Sequence, residues 1–250
     1  MMRLKQFFAF LIFSAILSAA SAAELMVAVA ANFAAPMKII SQQFERETGH
    51  TLKMSFGGTG QFYAQIKNGA PFAVLLAADH ETPAKIEREG LSVAGTRFTY
   101  AIGRLALWSK KPDLIDPNGE ILRSDSFTKI AIANPKLAPY GVAAFQVLNK
   151  LGLTEKMAPR IVEGANIGQA HQFVASGNAP LGFVALSQVY ENGKIKEGSA
   201  WIVPADLYQP LRQDAVLLKP GVGNPAADAL LKYLKGEQAQ SVMRTFGYGH

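Results

Sequence analysis

No cysteine occurs among the 250 residues. Its absence excludes a disulfide framework, a thiolate nucleophile and a lipid-modified cysteine at a mature N-terminus. Histidine is nearly as scarce: His50, His80, His171 and His250 stand far apart, at no spacing that would bring them onto one metal ion, and each reads as a surface or packing residue. There is no G-x-S-x-G elbow, no H-E-x-x-H and no other grouping of acid, base and nucleophile. Only 18% of the residues are charged, and the lysines and arginines form no cluster interleaved with aromatics, so the footprint of a nucleic-acid binder is missing. No internal repeat, low-complexity tract or long Gly/Ser linker divides the chain.

The one long apolar run comes at the start. Arg3 and Lys5 precede "FFAFLIFSAILSAA", which closes in Ser21-Ala22-Ala23. This is the pattern of a secretory signal peptide over residues 1–23, cleaved after Ala22 or Ala23. Ser14 and Ser18 interrupt the short core, which argues against a membrane anchor. The mature chain is expected free in the periplasm as a monomer. Removing the two leader cations lowers the formal charge from +6 to +4.

From Glu24 onward strand and helix patterns alternate. "ELMVAVAA" leads to Asn32, a candidate N-cap, and to a helix in which Met37, Ile40 and Phe44 share a face and which stops at Gly49. "TLKMSF", a glycine turn and a helix carrying Phe62 and Ile66 follow. The buried strand "FAVLLAA" comes next, with Thr82-Pro83 as cap and first-turn proline of the helix beyond. The second half repeats this grammar with "RLALW", "KIAIAN", the helix "PYGVAAFQVLNKLG", "RIVEG", the helix "ANIGQAHQFVASG" and "PLGFVAL". "WIVPADL" and "DAVLLK" then precede a helix opened by Asn224-Pro225 and a last helix ending near Phe246. Such alternation predicts an α/β protein of two lobes, each a mostly parallel sheet flanked by helices. Its ligand belongs in the cleft outside the carboxyl ends of the strands.

Four junctions carry the candidate chemistry: "AAN" ending at Asn32, "GGTG" around Thr59, "PYG" around Tyr140 and "GANIG" around Ile167. Each offers backbone N–H groups at a helix start, which attract anions. None carries Lys, Arg, Asp or Glu at its tip. A nucleotide does not fit, because Gly60 is followed by Gln61-Phe62 where a P-loop needs Lys and Ser/Thr, and the glycine spacing from Gly58 runs into Tyr63 where a dinucleotide fingerprint needs a third glycine. Asp79, after "FAVLLAA", is either a carboxylate at the sheet edge or a cap for the following helix. Read individually, the four junctions are equally ordinary caps and turns.

The segments "VAVAANFAAPMKIISQQFERETG", "SFGGTGQFYAQIKNGAPFAVLLAAD", "NPKLAPYGVAAFQVLNKLG", "GNAPLGFVALS" and "LLKYLKGEQAQSVMRTFGY", in that order, resemble the periplasmic molybdate-binding proteins of bacterial ABC-type importers. The resemblance covers nearly the whole mature chain. It implies a periplasmic binding protein fold with a hinge, crossed near Tyr100–Gly103 and Val203–Ala205, so that residues 24–102 with 205–250 form one lobe and 103–204 the other. It also implies capture of molybdate or tungstate, held only as the oxyanion, for delivery to a membrane permease, with no cofactor and no catalysis. By position, Ala31 and Asn32 form the first contact, Asn32 offering its amide and backbone where many members have serine. Thr59 matches a hydroxyl ligand, and Tyr140 and Ile167 match backbone donors of the second lobe. Ala185 stands where some members have a tyrosine, and Ala73 and Ala77 replace Asp and Ser outside the cage. The rival readings are another oxyanion (sulfate, thiosulfate or phosphate) on the same fold, or a secreted α/β enzyme.

Overall fold

The computed structural model describes residues 22–249; apart from Ala22 and Ala23, the expected leader lies outside them. Two five-stranded sheets organise the chain. In the first, β1 (Glu24–Ala30) lies between β2 (Thr51–Gly57) and β3 (Val74–Leu76) and is parallel to both. This sheet continues through β12 (Leu211–Leu217) to β4 (Phe98–Gly103), and β12 is antiparallel to its two neighbours. The second sheet has the order β11 (Ser199–Ile202), β5 (Leu105–Ser109), β8 (Leu181–Ala185), β6 (Ile130–Ala133), β7 (Ile161–Gly164). Here β6 is parallel to β8 and β7, while β5 is antiparallel to β8 and β11. Between β8 and β11 lies the small antiparallel pair β9 (Tyr190–Glu191) and β10 (Lys194–Ile195).

Each sheet therefore has one reversed strand, β12 or β5, and connectivity explains which. The chain passes from β4 to β5 through Arg104 alone, and from β11 to β12 across residues 203–210. The other strands of both sheets run toward the cleft. A chain that leaves one sheet at its cleft end enters the other from the cleft, so it must run against its new neighbours.

The helices cover the sheets according to the period-two alternation of strand side chains. Leu25, Val27 and Val29 pack on α1 (Ala34–Thr48), α8 (Pro225–Lys235) and α9 (Glu237–Thr245). Ala28, Leu75 and Val216 face the other way, onto α2 (Thr59–Lys67) and α3 (Glu81–Arg88). In the second lobe α4 (Pro139–Lys150), α5 (Thr154–Met157), α6 (Ile167–Ala175) and α7 (Leu186–Val189) accompany a core that includes Leu107, Ile130, Val147 and Phe183. In α1, Met37, Ile40 and Phe44 are buried together and Gly49 closes the helix at φ 73°, as the spacing predicts.

Some local readings need correction. Asn32 caps nothing with its side chain; it sits within a 3-10 turn, Ala31–Phe33, ahead of α1. The cap of α3 comes from Asp79, whose Oδ1 accepts from Thr82 N at 2.7 Å, so Asp79 is a capping residue and Thr82-Pro83 falls inside the helix. Burial raises the pKa of that carboxyl, partly offset by its bonds to Thr82. The strand β4 is absent from the sequence reading. His50 accepts from Ala23 N at 3.2 Å, and His171 stacks on Trp108 at 5.1 Å, which makes both packing residues.

A register shift between Gln213 and Asp214 turns both of these residues of β12 inward. Asp214 accepts from Arg97 Nη1 and Thr99 Oγ1, each at 2.7 Å, and Gln213 lies beside Gly103 at the crossing. A Cβ on Gly103 would stand 2.2 Å from Tyr140 Oη and 2.4 Å from Gln213 Nε2. Only glycine permits that approach. Gly103→Ala is therefore expected to cost about 1–3 kcal/mol in chemical denaturation, the usual penalty of overpacking a site with no free space; a variant as stable as the parent would show that the phenol can withdraw.

Candidate functional site

The carboxyl ends of both sheets meet at one small cavity of about 10 Å³. Ala31, Asn32, Thr59, Tyr140 and Ile167 all line it, so the structure brings together every residue singled out from the four junctions. Ala31 N–H continues the β1–β2 ladder toward Gly57 O, in phase with the bond from Thr51 N to Ala23 O. Among the described residues, the backbone N–H groups of Asn32, Thr59, Tyr140 and Ile167 take no part in the backbone hydrogen bonds of the turns and loops. The cause is local. Each stands in the first turn of a helix or 3-10 turn, where no preceding carbonyl is in reach. In α4, Pro139 has no N–H, so Tyr140 provides the first donor of that helix. No Asp, Glu, Lys, Arg or His lines the cavity. A neighbouring hollow shares Ala78, Ala138 and Pro139 with it but opens onto Asp79, Lys136 and Arg212, charges of both signs, and gathers no comparable set of donors.

The glycines at the second junction serve closure more than ligand contact. Gly58 N–H goes to Gln61 Oε1 at 2.9 Å, and Gly60 N–H crosses to Leu137 O at 3.0 Å. A Cβ on Gly60 would lie 3.0 Å from the Leu137 backbone, and one on Gly58 3.2 Å from Asn166 Cβ. What approaches these glycines so closely is the other sheet's junctions. Asn166 reinforces the contact: its Oδ1 caps α6 at Gln169 N, and its Nδ2 reaches Gln61 Oε1 at 3.4 Å.

Thr59 Oγ1 accepts from Ala78 N at 2.9 Å. With that lone pair taken by a buried amide, the hydroxyl proton is left for the cavity. The side chain of Tyr140 points away from its own free N–H, and its Oη accepts from Gln213 Nε2 at 3.0 Å. Ile167 is buried, with its backbone N–H at the start of α6.

Asn32 differs in part from expectation. Its backbone N–H is free, but its Nδ2 donates to Gln213 Oε1 and Tyr248 Oη, each at 2.9 Å. Its carbonyl accepts from Ser187 Oγ at 2.8 Å and Tyr248 Oη at 2.9 Å. The side-chain amide is thus engaged inside the protein, and its Oδ1 is buried without a partner.

Beneath the cavity, then, lies a polar layer that sequence reasoning missed: Tyr100, Gln213, Ser187 and Tyr248. Burial raises the pKa of Tyr100, Tyr140 and Tyr248, so all three phenols stay neutral and keep their protons. The available signals were the polar Gln213 just ahead of the strand "DAVLLK" and the tyrosine of "FGYGH". Ala185 is buried and gives its N–H to Gln188 Oε1 at 3.0 Å.

The sequence profile described as bacterial extracellular solute-binding protein matches residues 25–249. The molybdate-binding protein ModA of Azotobacter vinelandii is 63% identical over 231 residues, covering 92% of each chain. ModA of Rhodobacter capsulatus is 51% identical over 229 residues, covering 92% of this chain and 89% of that one. The solved structure of the Azotobacter vinelandii periplasmic molybdate-binding protein superposes with a TM-score of 0.88 at 44% identity, covering 90% of this chain and 99% of that one.

Two substitutions test the geometry of the cavity. Thr59→Val removes both the acceptor of Ala78 N–H and a donor to any bound oxyanion, so it should lower stability by about 1–3 kcal/mol and oxyanion affinity by a similar amount. Thr59→Ser should restore both; a serine variant no better than valine in denaturation and calorimetry would mean that the methyl group, not the hydroxyl, matters. Asn32→Asp would bury an unpaired carboxylate against Gln213 Oε1, and should cost the ligand-free protein about 3 kcal/mol at neutral pH. Burial raises the folded-state pKa of such a carboxyl, so the cost is full above that pKa and fades as pH falls through it toward about 4. Denaturation at neutral and acid pH checks this, and a loss equal at both would remove the charge from the explanation.

Proposed function

The chain belongs to the bacterial extracellular solute-binding proteins and, within them, to the molybdate-binding group, and from that premise we infer that it captures molybdate or tungstate in the periplasm and delivers it to an ABC-type membrane importer. It carries its ligand and catalyses no reaction. The observation that carries the reading is the set of free donors: the amides of Asn32, Thr59, Tyr140 and Ile167, with the Thr59 hydroxyl, around a cavity free of charged side chains. Molybdate and tungstate are fully deprotonated at neutral pH, so every oxygen only accepts. A carboxylate in the wall would repel them, and a buried Lys or Arg would cost its own desolvation. First-turn amides supply directed donors and partial positive charge that the fold has already oriented.

The two lobes are taken as residues 24–102 with 205–250, and 103–204. The ion then accepts from Asn32 and Thr59 on one lobe, beside Ala31, and from Tyr140 and Ile167 on the other. It binds well only when both lobes are present, so its binding free energy favours the closed state. The protein acts as a monomer, and the closed form is what a permease would recognise. A phosphate that retains a proton needs an acceptor in the wall, which this donor set does not offer. Sulfate is also fully deprotonated and differs in size.

Calorimetric titration of the mature protein with molybdate, tungstate, sulfate and phosphate tests the assignment. One site per chain is expected, with molybdate and tungstate comparable and sulfate and phosphate far weaker. Sulfate binding as tightly as molybdate would overturn it.

A further inference from the structure

The polar layer under the cavity contains a mismatch, and the mismatch has one self-consistent remedy. Gln213 Nε2 donates to Tyr140 Oη, whose own proton then meets no acceptor among the described residues. Asn32 Oδ1, in a residue 1% exposed that lines the cavity, meets no donor. One donor and one acceptor are thus left over in the same buried cluster, at a cost that folded proteins usually avoid. The O and N ends of an amide are nearly isosteric, so the same positions admit a second proton arrangement.

We propose that in the ion-loaded protein the side-chain amides of Asn32 and Gln213 are both turned over, which makes Gln213 the positioning residue that presents the Asn32 amide hydrogens to the oxyanion. The inference rests on the oxyanion reading above. With both amides turned, Tyr140 Oη donates to Gln213 Oε1 across the 3.0 Å contact, and Gln213 Nε2 donates to Asn32 Oδ1 across the 2.9 Å contact. Tyr248 Oη donates to the same Oδ1 at 2.9 Å, Tyr100 gives its proton to Ala77 O at 3.0 Å, and Ser187 keeps the Asn32 carbonyl. The single unsatisfied group that remains is the Asn32 NH₂, a donor facing an ion that only accepts.

The turn has to be concerted. Turning Gln213 alone sets two NH₂ groups against each other at 2.9 Å, and turning Asn32 alone does the same with two carbonyl oxygens. The chain of bonds also begins on the far lobe. Tyr140 belongs to α4, so its phenol proton reaches Gln213 only when the lobes are together. Closure therefore helps to set the orientation of Asn32, and Tyr140 contributes through its side chain as well as its backbone.

The test is a molybdate titration of ¹⁵N-labelled protein, following the side-chain NH₂ pairs of Asn32 and Gln213 beside the backbone amides of Thr59 and Ile167. At saturation the Asn32 pair should shift downfield with those backbone amides. If Thr59 and Ile167 respond while the Asn32 pair stays still, the amides keep the unturned arrangement and the inference fails, with the oxyanion reading intact. If none of them responds, the oxyanion reading itself fails. Gln213→Glu provides a second arm, since a carboxylate accepts from both Tyr140 and Asn32 and holds Asn32 Oδ1 toward the ion. Its molybdate affinity should fall about a hundredfold and its Asn32 pair should no longer respond, whereas Gln213→Met, which orients nothing, should lose about tenfold and keep the response. Equal losses in the two variants, with the Asn32 pair responding in both, would reduce Gln213 to a packing role.

Discussion

An unpaired backbone N–H at the start of a helix is the interaction on which this protein is built. Most buried amides in a folded chain are satisfied within it, yet here four of them, at Asn32, Thr59, Tyr140 and Ile167, converge on one cavity with no acceptor of their own. A dianion that only accepts hydrogen bonds is the complementary guest. Because the donors are main-chain groups, their directions follow from strand and helix geometry and cost little further ordering when the ion arrives. Two sheets whose strands end at the same cleft bring such helix starts together.

The same convergence makes the cleft tight. At Gly60 the opposing backbone approaches to a distance that leaves little room for a β-carbon, and at Gly103 the Tyr140 phenol fills the space a side chain would need. The reversed strands β5 and β12 belong to this constraint, since each is the first strand after a crossing. Gln213 and Asp214 sit on β12, where a register shift buries both, so one stretch of chain serves the lobe's core through Arg97 and Thr99 and the cavity floor through Tyr140 and Asn32. Neutral phenols and amides suit that floor, because a charged group there would add its own field to a site whose free donors suit a dianion.

How much could be read from the chain depended on the range of the interactions involved. Met37, Ile40 and Phe44 share a face through helical periodicity, Gly49 ends α1 through its left-handed φ, and Asn224 caps α8; these are local effects. The junction residues were legible for the same reason, since a helix start follows each strand within a few positions. Asn32 lines the cavity, but the partners of its amide could not be read, because they lie 181 and 216 residues away. The strand β4 went unread because its place depends on pairing with β12, more than a hundred residues later.

By itself, then, the sequence determined the α/β alternation, the donor-bearing junctions and the exclusion of cysteine, metal-cluster and nucleotide-loop chemistry, all of which are set by residue type and short spacing. Tertiary structure alone decided that the four junctions share one cavity, that the glycines of "GGTG" receive the other lobe more than the ion, and that Asn32 rests on Gln213, Tyr248 and Ser187. Those outcomes turn on hydrogen bonds and close approaches between segments distant in the chain. Such contacts exist only once both sheets are formed and brought together, and no local pattern encodes them.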